Sequence, residues 1–342
     1  MNCIKKRNFA LYFSAVLLLS TSWCLAQDTH FSQFDFSPLH QNAANTGKFK
    51  GDYRLTAIYR NQYKSVTVPY KTMGASFDAN INLTDDARGY WSAGLVVEQD
   101  KTGDGNYKTF DAEFSAAYNY FVDDDKRHLV TIGLQPGITQ HQLDFDQLYF
   151  GNQFNSTYFD PTLPNNENLS STSNSLFNIN AGVGYTFKFN ETSDVQAGIG
   201  MHHINQPNLS FYSDKAPLNA RLTGELAANV MLTENIYVHP QLLYYSQNKF
   251  QQINGGANVS FRKAKSESSS YRFSLGAFYR AKDAAIVRVG LGYNNLDIGF
   301  AYDFNTSDLK KASNGRGAYE VALKYIITKV KPVKLFPPCP VY

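Results

Sequence analysis

The chain has 342 residues and a formal net charge of +3 at pH 7, and its mean hydropathy is −0.37. Residues 1–26 carry the whole excess of positive charge, so the remainder is neutral and gives no support for a nucleic-acid partner. Only Cys339 lies beyond them, which excludes an intramolecular disulfide framework there. No later apolar run approaches the roughly 18 residues that a membrane-spanning helix needs.

The first residues have the pattern of a secretory signal peptide. A basic stretch at 5–7 precedes an apolar run at 9–19, and Ala26 completes a cleavage site. We therefore expect residues 1–26 to be removed during export. Lipidation at Cys24 is an alternative, disfavoured by the bulky tryptophan before it.

From residue 51 to 329 the polarity alternates in about fourteen segments of about ten residues. Val287, Val289 and Leu291, for example, share one face of their segment, while Arg288 and Gly290 share the other. One face suits lipid and the other suits water, and the 15% aromatic content predicts interfacial girdles. The predicted strands are 52–62, 70–82, 90–99, 107–121, 127–139, 175–188, 193–204, 219–232, 235–247, 251–262, 270–281, 284–294, 295–305 and 316–328.

An even strand number is typical of bacterial single-chain barrels. Connections after even-numbered strands are mostly short, whereas 140–174, 205–218 and 306–315 are long. We therefore predict an all-β fold, a transmembrane antiparallel up-and-down β-barrel over 51–329 in the outer membrane. Its termini would be periplasmic, and 330–342 would form a periplasmic tail. A soluble two-sheet or propeller protein is the alternative.

Two prolines fall inside predicted strands. Pro136 and Pro240 each remove a ladder donor, so we expect a bulge or a shifted strand boundary at both positions.

The segment before the first strand carries the most specific motifs. It contains Phe31-Ser32-Gln33-Phe34 and a turn from Asn42 to Gly47, and Tyr59-Arg60-Asn61-Gln62 follows in the first strand. This order resembles the PorP/SprF family of Bacteroidetes outer-membrane proteins, with Ala43 where the family usually has Pro and Tyr63 where it often has Trp.

The resemblance implies a component of the type IX secretion and gliding machinery. Members resemble outer-membrane partners for a particular secreted surface protein, such as an adhesin, as cargo. The resemblance also implies contacts with periplasmic type IX ring or peptidoglycan-binding components. Outer-membrane lipid would be a further partner.

Residues 27–50 are polar, aromatic and too broken for a membrane strand. They could fold into the lumen, cap its periplasmic mouth or dock a partner. The alternative is a partly ordered leader before the first strand.

Charged residues of both signs fall on the faces that we assign to the lumen, which suits a hydrogen-bonded interior better than an ion filter. The alternative is a polar channel or ligand path. Glycines on the same face, Gly182, Gly184, Gly290 and Gly292, should relieve crowding inside the curved sheet. The predicted lumen-facing residues are Arg54, Arg60, Asp111, Glu113, Arg221, Glu225, Arg272, Arg280, Arg288, Asp297, Asp303, Glu320 and Lys324.

The longest loop, 140–174, combines aromatic residues with Asn, Ser and Pro, a composition that resembles protein-recognition surfaces. We predict that it binds a partner, and a lid over the mouth is the alternative. The candidate contact residues are Phe145, Tyr149, Phe150, Phe154, Tyr158 and Phe159.

No catalytic set is visible. Residues 100–106 with Asp111 resemble the start of a calcium loop, but strands flank them and a hairpin turn is the favoured explanation. His202 and His203 are adjacent, so a strand should send them to opposite faces. We find no nucleophile motif and no phosphate-cradling glycine loop.

The sequence therefore predicts a non-enzymatic barrel without cofactor or metal. The leading function is an outer-membrane partner in type IX secretion. The alternative is a transport barrel for a hydrophobic or small polar ligand, with residues 27–50 as its plug. A barrel enzyme is a third and weaker possibility.

Overall fold

We describe a computed structural model of the chain. The predicted signal peptide, the predicted tail and Phe145 lie outside the described residues. Side chains are not described at 264–266 and 269. The structure describes residues 28–81, 88–103, 105–144, 148–164, 172–211, 215–266 and 269–328.

Fourteen antiparallel strands form one closed barrel, in which each strand pairs with the next and the last pairs with the first. Closure leaves no unpaired sheet edge, as a lipid environment requires. The predicted fold and strand number are confirmed, with boundaries that differ by a few residues. The strands are β1 (Tyr53–Gln62), β2 (Tyr70–Ile81), β3 (Gly89–Thr102), β4 (Tyr107–Phe121), β5 (His128–Gln142), β6 (Ser173–Lys188), β7 (Asp194–His202), β8 (Arg221–Thr233), β9 (Ile236–Gln247), β10 (Phe250–Ser266), β11 (Ser269–Arg280), β12 (Ala284–Tyr293), β13 (Leu296–Asn305) and β14 (Arg316–Ile327).

The expected bulges at the two strand prolines are wrong. Pro136 lies opposite Ile179 and Pro240 lies opposite Ala257, each within an unbroken register. On the other side of each proline the ladder lapses for two residues and resumes in the same register. A proline lacks only one N–H, so a long strand can keep its register around it.

The two ends of the barrel differ. Both Tyr53 and Ile327 lie at one end, which we call the turn mouth and which also carries the short connections 122–127, 189–193 and 234–235. We call the opposite end the loop mouth. It carries the long connections 143–172, 203–220 and 306–315, together with a few short ones.

The outer surface is apolar and the inner surface is polar, as the alternation predicts. Leu291 and Ile132 are more than 60% exposed on the outside, whereas Arg280 and Glu320 are fully buried inside. Exposed aromatic rings cluster towards both mouths, which is the arrangement of interfacial girdles. Those near the turn mouth include Trp91, Tyr118, Tyr120, Tyr185, Tyr271, Tyr293 and Tyr325.

The described helices are short. They are α1 (Pro38–Gln41), before the first strand, and α2 (Lys310–Ser313), in the last loop. None of the helices in the described ranges is both long and apolar enough to cross a membrane.

Candidate functional site: an internal plug and the chamber beside it

Residues 28–50, which we call the plug, lie inside the barrel. The chain forms a 3-10 turn at Phe34–Phe36, then α1, then a second 3-10 turn at Ala43–Asn45. Pro38 suits the first turn of α1, where its missing N–H has no partner to lose. Leu39 is completely buried. The sequence left open whether this segment fills the lumen, caps the mouth or docks a partner, and the structure places it in the lumen.

Glycines in the wall make room for the plug. A Cβ on Gly133 would overlap the backbone of Ala43, and one on Gly182 would overlap the side chain of Asn42. Within the plug, Gly47 has a φ of +76°, which favours glycine. The plug backbone therefore approaches the sheet where the sheet has no side chain.

Ser32 and Gln33 join the plug to the wall through two carboxylates. Their backbone N–H groups donate to Glu320 Oε1 at 2.6 Å and Oε2 at 2.8 Å. The hydroxyl of Ser32 donates to Asp303 at 2.7 Å. Both carboxylates are at most 2% exposed, so these charge-assisted bonds lie in a medium of low dielectric.

Two buried arginines complete this group, which we call the Ser32 cluster. Arg60 lies 3.0 Å from Asp303 and 2.6 Å from Glu320, and Arg280 also pairs with Asp303. Both guanidinium groups donate to the Ser32 hydroxyl, at 2.8 and 3.0 Å. One serine hydroxyl thus donates one bond and accepts two.

The second half of the plug has its own charged contacts. Asn42 and Asn45 donate to the two oxygens of Glu225 at 3.1 and 2.9 Å. The N–H of Gly47 donates to Asp78 at 2.8 Å, and the same carboxylate pairs with Arg54 at 2.7 Å. The second half of the plug is therefore held by hydrogen bonds to the charged side chains of the wall.

The first described residue lies near the loop mouth. Asp28 is 2.9 Å from His203 and 3.1 Å from Arg221. Burial alone would raise the pKa of Asp28, but these two partners outweigh burial and lower it below the usual range. The plug thus begins as an anion held between two wall residues.

His40 of α1 makes a second charged contact with the wall, at Glu98 of β3. Its Nδ1 is 2.9 Å from Glu98. Burial alone would lower the pKa of His40, but the negative charge of Glu98 and their hydrogen bond outweigh burial and raise it. The contact with Glu98 therefore favours the protonated form of His40.

The structure places all thirteen predicted lumen-facing residues on the inner face. Four of them bond along the wall, where Asp111 bonds Thr139, Glu113 bonds Gln135 and Asn180, and Arg272 pairs with Asp297. The nine that contact the plug are Arg54, Arg60, Arg221, Glu225, Arg280, Arg288, Asp303, Glu320 and Lys324.

Sequence reasoning missed two wall carboxylates that hold the plug, Asp78 and Glu98. Each follows a lipid-facing residue, Phe77 and Val97 respectively, so the same alternation would have placed both acids inside.

The prediction for the adjacent histidines is wrong, because both rings lie inside. His202 contacts the carbonyl of Gln41 at 3.0 Å, and His203 contacts Asp28. β7 ends at His202, and His203 has a φ of +53°, so the strand alternation stops between them. Among the described residues, no group of three or more metal-binding side chains could hold an ion.

The candidate calcium residues lie largely in paired strands. Asp100 accepts from Thr72 at 2.6 Å, and Asp111 accepts from Thr139. Asp104 lies outside the described residues.

The aromatic loop remains a candidate contact surface. Tyr149, Phe154 and Tyr158 are 81%, 56% and 60% exposed, and Tyr149 packs edge-on against Phe159 with ring centroids 4.6 Å apart. Phe150 is half-buried.

A chamber of about 600 Å³ lies between the plug and the turn mouth. Phe34 and Phe36 of the plug line it on one side, and wall residues near the turn mouth line the other sides. Eight basic and four acidic side chains line this chamber, so its lining carries a net positive charge.

The closed barrel, its apolar belt and its internal plug define an outer-membrane β-barrel protein. The family model described as "Type IX secretion system membrane protein PorP/SprF" matches residues 24–325. The chain therefore belongs to the PorP/SprF family. Membership implies interaction with components of the type IX secretion machinery. The comparison with curated proteins finds no significant match.

Solved outer-membrane barrels share the fold. The Pseudomonas putida toluene transporter TodX is 10% identical, with a TM-score of 0.50 over 88% of this chain and 95% of that one. A TodX monoaromatic hydrocarbon channel mutant, deltaS2S3, is also 10% identical, with a TM-score of 0.52 over 84% and 93%. At these identities the likeness concerns the fold alone.

Replacing Asp303 with Ala should destabilise the protein by about 3–5 kcal/mol, because Arg60 and Arg280 would lose their shared carboxylate in a buried site. Urea unfolding of the barrel in lipid vesicles measures the loss. The matched control is Asp308→Ala in an exposed loop. Equal losses for the two variants would contradict the structural role of the Ser32 cluster.

His40→Gln should cost more stability at pH 6 than at pH 9. A raised folded-state pKa means that the contribution of His40 is complete below its unfolded value of about 6.5 and is lost as the pH rises through the folded value. Urea unfolding at both pH values measures the difference. In the Glu98→Gln background the pH dependence of the His40 substitution should disappear. If it persisted there, another group would be responsible.

Proposed function

We propose that this protein is a non-enzymatic outer-membrane component of type IX secretion that serves one secreted protein, such as an adhesin, during its secretion or surface attachment. The filled lumen carries this proposal. The Ser32 cluster and the Glu225 and Asp78 contacts hold residues 28–50 across the barrel. A lumen occupied by a segment that is hydrogen-bonded to buried wall carboxylates suits a platform better than an open pore.

The proposed orientation has the turn mouth in the periplasm and the loop mouth outside. Short periplasmic turns and long external loops are typical of bacterial barrels. In this orientation the chamber faces the periplasm, where ring or peptidoglycan-binding components would bind. The exposed aromatic residues Tyr149, Phe154 and Tyr158 would face the secreted protein.

A transport barrel for a hydrophobic or small polar ligand is the second candidate. Two observations favour it, namely the fold likeness to TodX, described as a toluene transporter, and the chamber of about 600 Å³. Transport would require the plug to move, which would break the Ser32 cluster.

Conductance in planar bilayers separates the two candidates. The wild-type barrel should stay closed, and Gly133→Leu should raise its conductance because the new side chain displaces the plug at Ala43. Gly224→Leu is the matched control, since Gly224 has only ordinary contacts with Tyr244. Heat-modifiable migration checks that each variant still folds. Steady wild-type conductance would favour transport.

Deleting the gene should remove one specific secreted protein from the cell surface while nutrient uptake stays normal. Surface proteomics measures the loss, and complementation with the wild-type gene should restore the missing protein. A surface proteome identical to that of the parent strain would refute the proposed function.

A further inference from the structure

One row of inward-facing residues crosses five neighbouring strands close to the turn mouth. The strand register places Arg262, Arg272, Gly292, Asp297 and Lys324 successively opposite one another, from β10 to β14. All five line the chamber. This basic row contains three cations and one anion.

The charges of the basic row do not balance. Arg262 lies directly opposite Arg272, and like charges in such positions destabilise a sheet. Asp297 pairs with Arg272 at 3.2 Å, across the gap that Gly292 leaves. Within the described ranges, Arg262 has no ion-pair partner, and Lys324 instead lies over the ring of Phe36 at 4.6 Å.

The next inward row is built of small residues, which leaves a recess that Gln33 and Phe36 of the plug fill at Gly299. Ser260, Ser274, Gly290, Gly299 and Ala322 lie opposite one another across the same five strands. This row separates the basic row from the deeper row that contains Arg288 and Glu320. The space belongs to the chamber and reaches the plug.

Donors without partners surround the recess. Within the part of the chain that the structure describes, Arg288 Nε and Gln33 Nε2 have no hydrogen-bond partner, although their side chains are 4% and 1% exposed. Arg272 Nε is likewise buried and unbonded. All three residues line the chamber. Buried N–H groups of this kind are normally satisfied, so an acceptor that entered the recess would complete their hydrogen bonding.

The acidic side of the chamber is already satisfied. Asp194 accepts from Gln196 and Asn229, both at 2.9 Å. Glu225 accepts from Asn42 and Asn45 of the plug. The chamber therefore carries an excess of positive charge, part of it on the basic row and part on Lys48, Lys50 and Lys188 elsewhere in the lining.

We propose that the basic row binds an acidic polypeptide segment of a partner, with its carboxylates on Arg262, Arg272 and Lys324 and its backbone in the recess. Arginine forks match carboxylates in geometry. From β10 to β14 the row spans roughly 19 Å along the wall, at about 4.8 Å per strand, which exceeds the reach of one phosphate and suits several carboxylates on one chain. The chamber volume is within the usual range of ligand sites.

The proposal goes beyond the function proposed above, since this binding would occur whichever component supplies the segment. Its test uses the full-length barrel in non-ionic detergent and a fluorescent Glu-rich octapeptide, with a Lys-rich octapeptide as the comparison probe. Fluorescence anisotropy should show binding of the Glu-rich probe alone. Arg262→Glu combined with Arg272→Glu should weaken that binding at least tenfold.

The control is Arg316→Glu, which makes one substitution of the same type at an exposed position near the loop mouth and should leave binding unchanged. Arg262→Gln combined with Lys324→Gln is a milder pair in case charge reversal prevents folding, and it should weaken binding in the same direction. Heat-modifiable migration reports folding.

Equal binding of the two octapeptides, or binding unaffected by either pair of substitutions, would overturn the proposal. Inorganic phosphate and anionic lipid vesicles are tested with the same variants. If either of them bound through Arg262 and Arg272 while the Glu-rich probe did not, the site would serve another class of anion and the peptide proposal would be wrong.

Discussion

The buried charges of the Ser32 cluster are the constraint on which the rest of the interior depends. Asp303, Glu320, Arg60 and Arg280 lie where water cannot solvate them, and ion pairs in such a place need further hydrogen bonds to compensate for the lost hydration. The wall alone does not supply all of them. Ser32 supplies a hydroxyl and a backbone N–H that donate to Asp303 and Glu320. The plug and the buried charges of the wall therefore stabilise each other.

The shape of the wall matches this electrostatic dependence. Gly133 and Gly182 have no side chain, so the plug can lie directly against the sheet at these positions. From there Asn42 donates a hydrogen bond to Glu225. A larger residue at either glycine would push the plug away from its charged partners. Packing and charge therefore select the same position for the plug, which explains how a segment without long helices or strands is held in one place.

The sequence predicts the barrel well because lipid exposure and strand geometry impose a period of two on every strand. That period also assigns Arg60 and Glu320 to the lumen, although it does not pair either of them with Ser32. The Ser32–Glu320 contact joins residues 288 apart, and it exists only after the barrel closes. The alternation also does not predict local changes of backbone conformation, such as the positive φ of His203.

The two mouths of the barrel are chemically different, and the plug connects them. Asp28 is held near the loop mouth, whereas Phe36 and Gln33 line the chamber on the turn-mouth side. Gln33 also donates its N–H to Glu320 in the Ser32 cluster. A ligand on the basic row would therefore touch a residue that anchors the plug. If the basic row binds a ligand, occupancy of the chamber and the position of the plug would be linked equilibria, because each would change the free energy of the other.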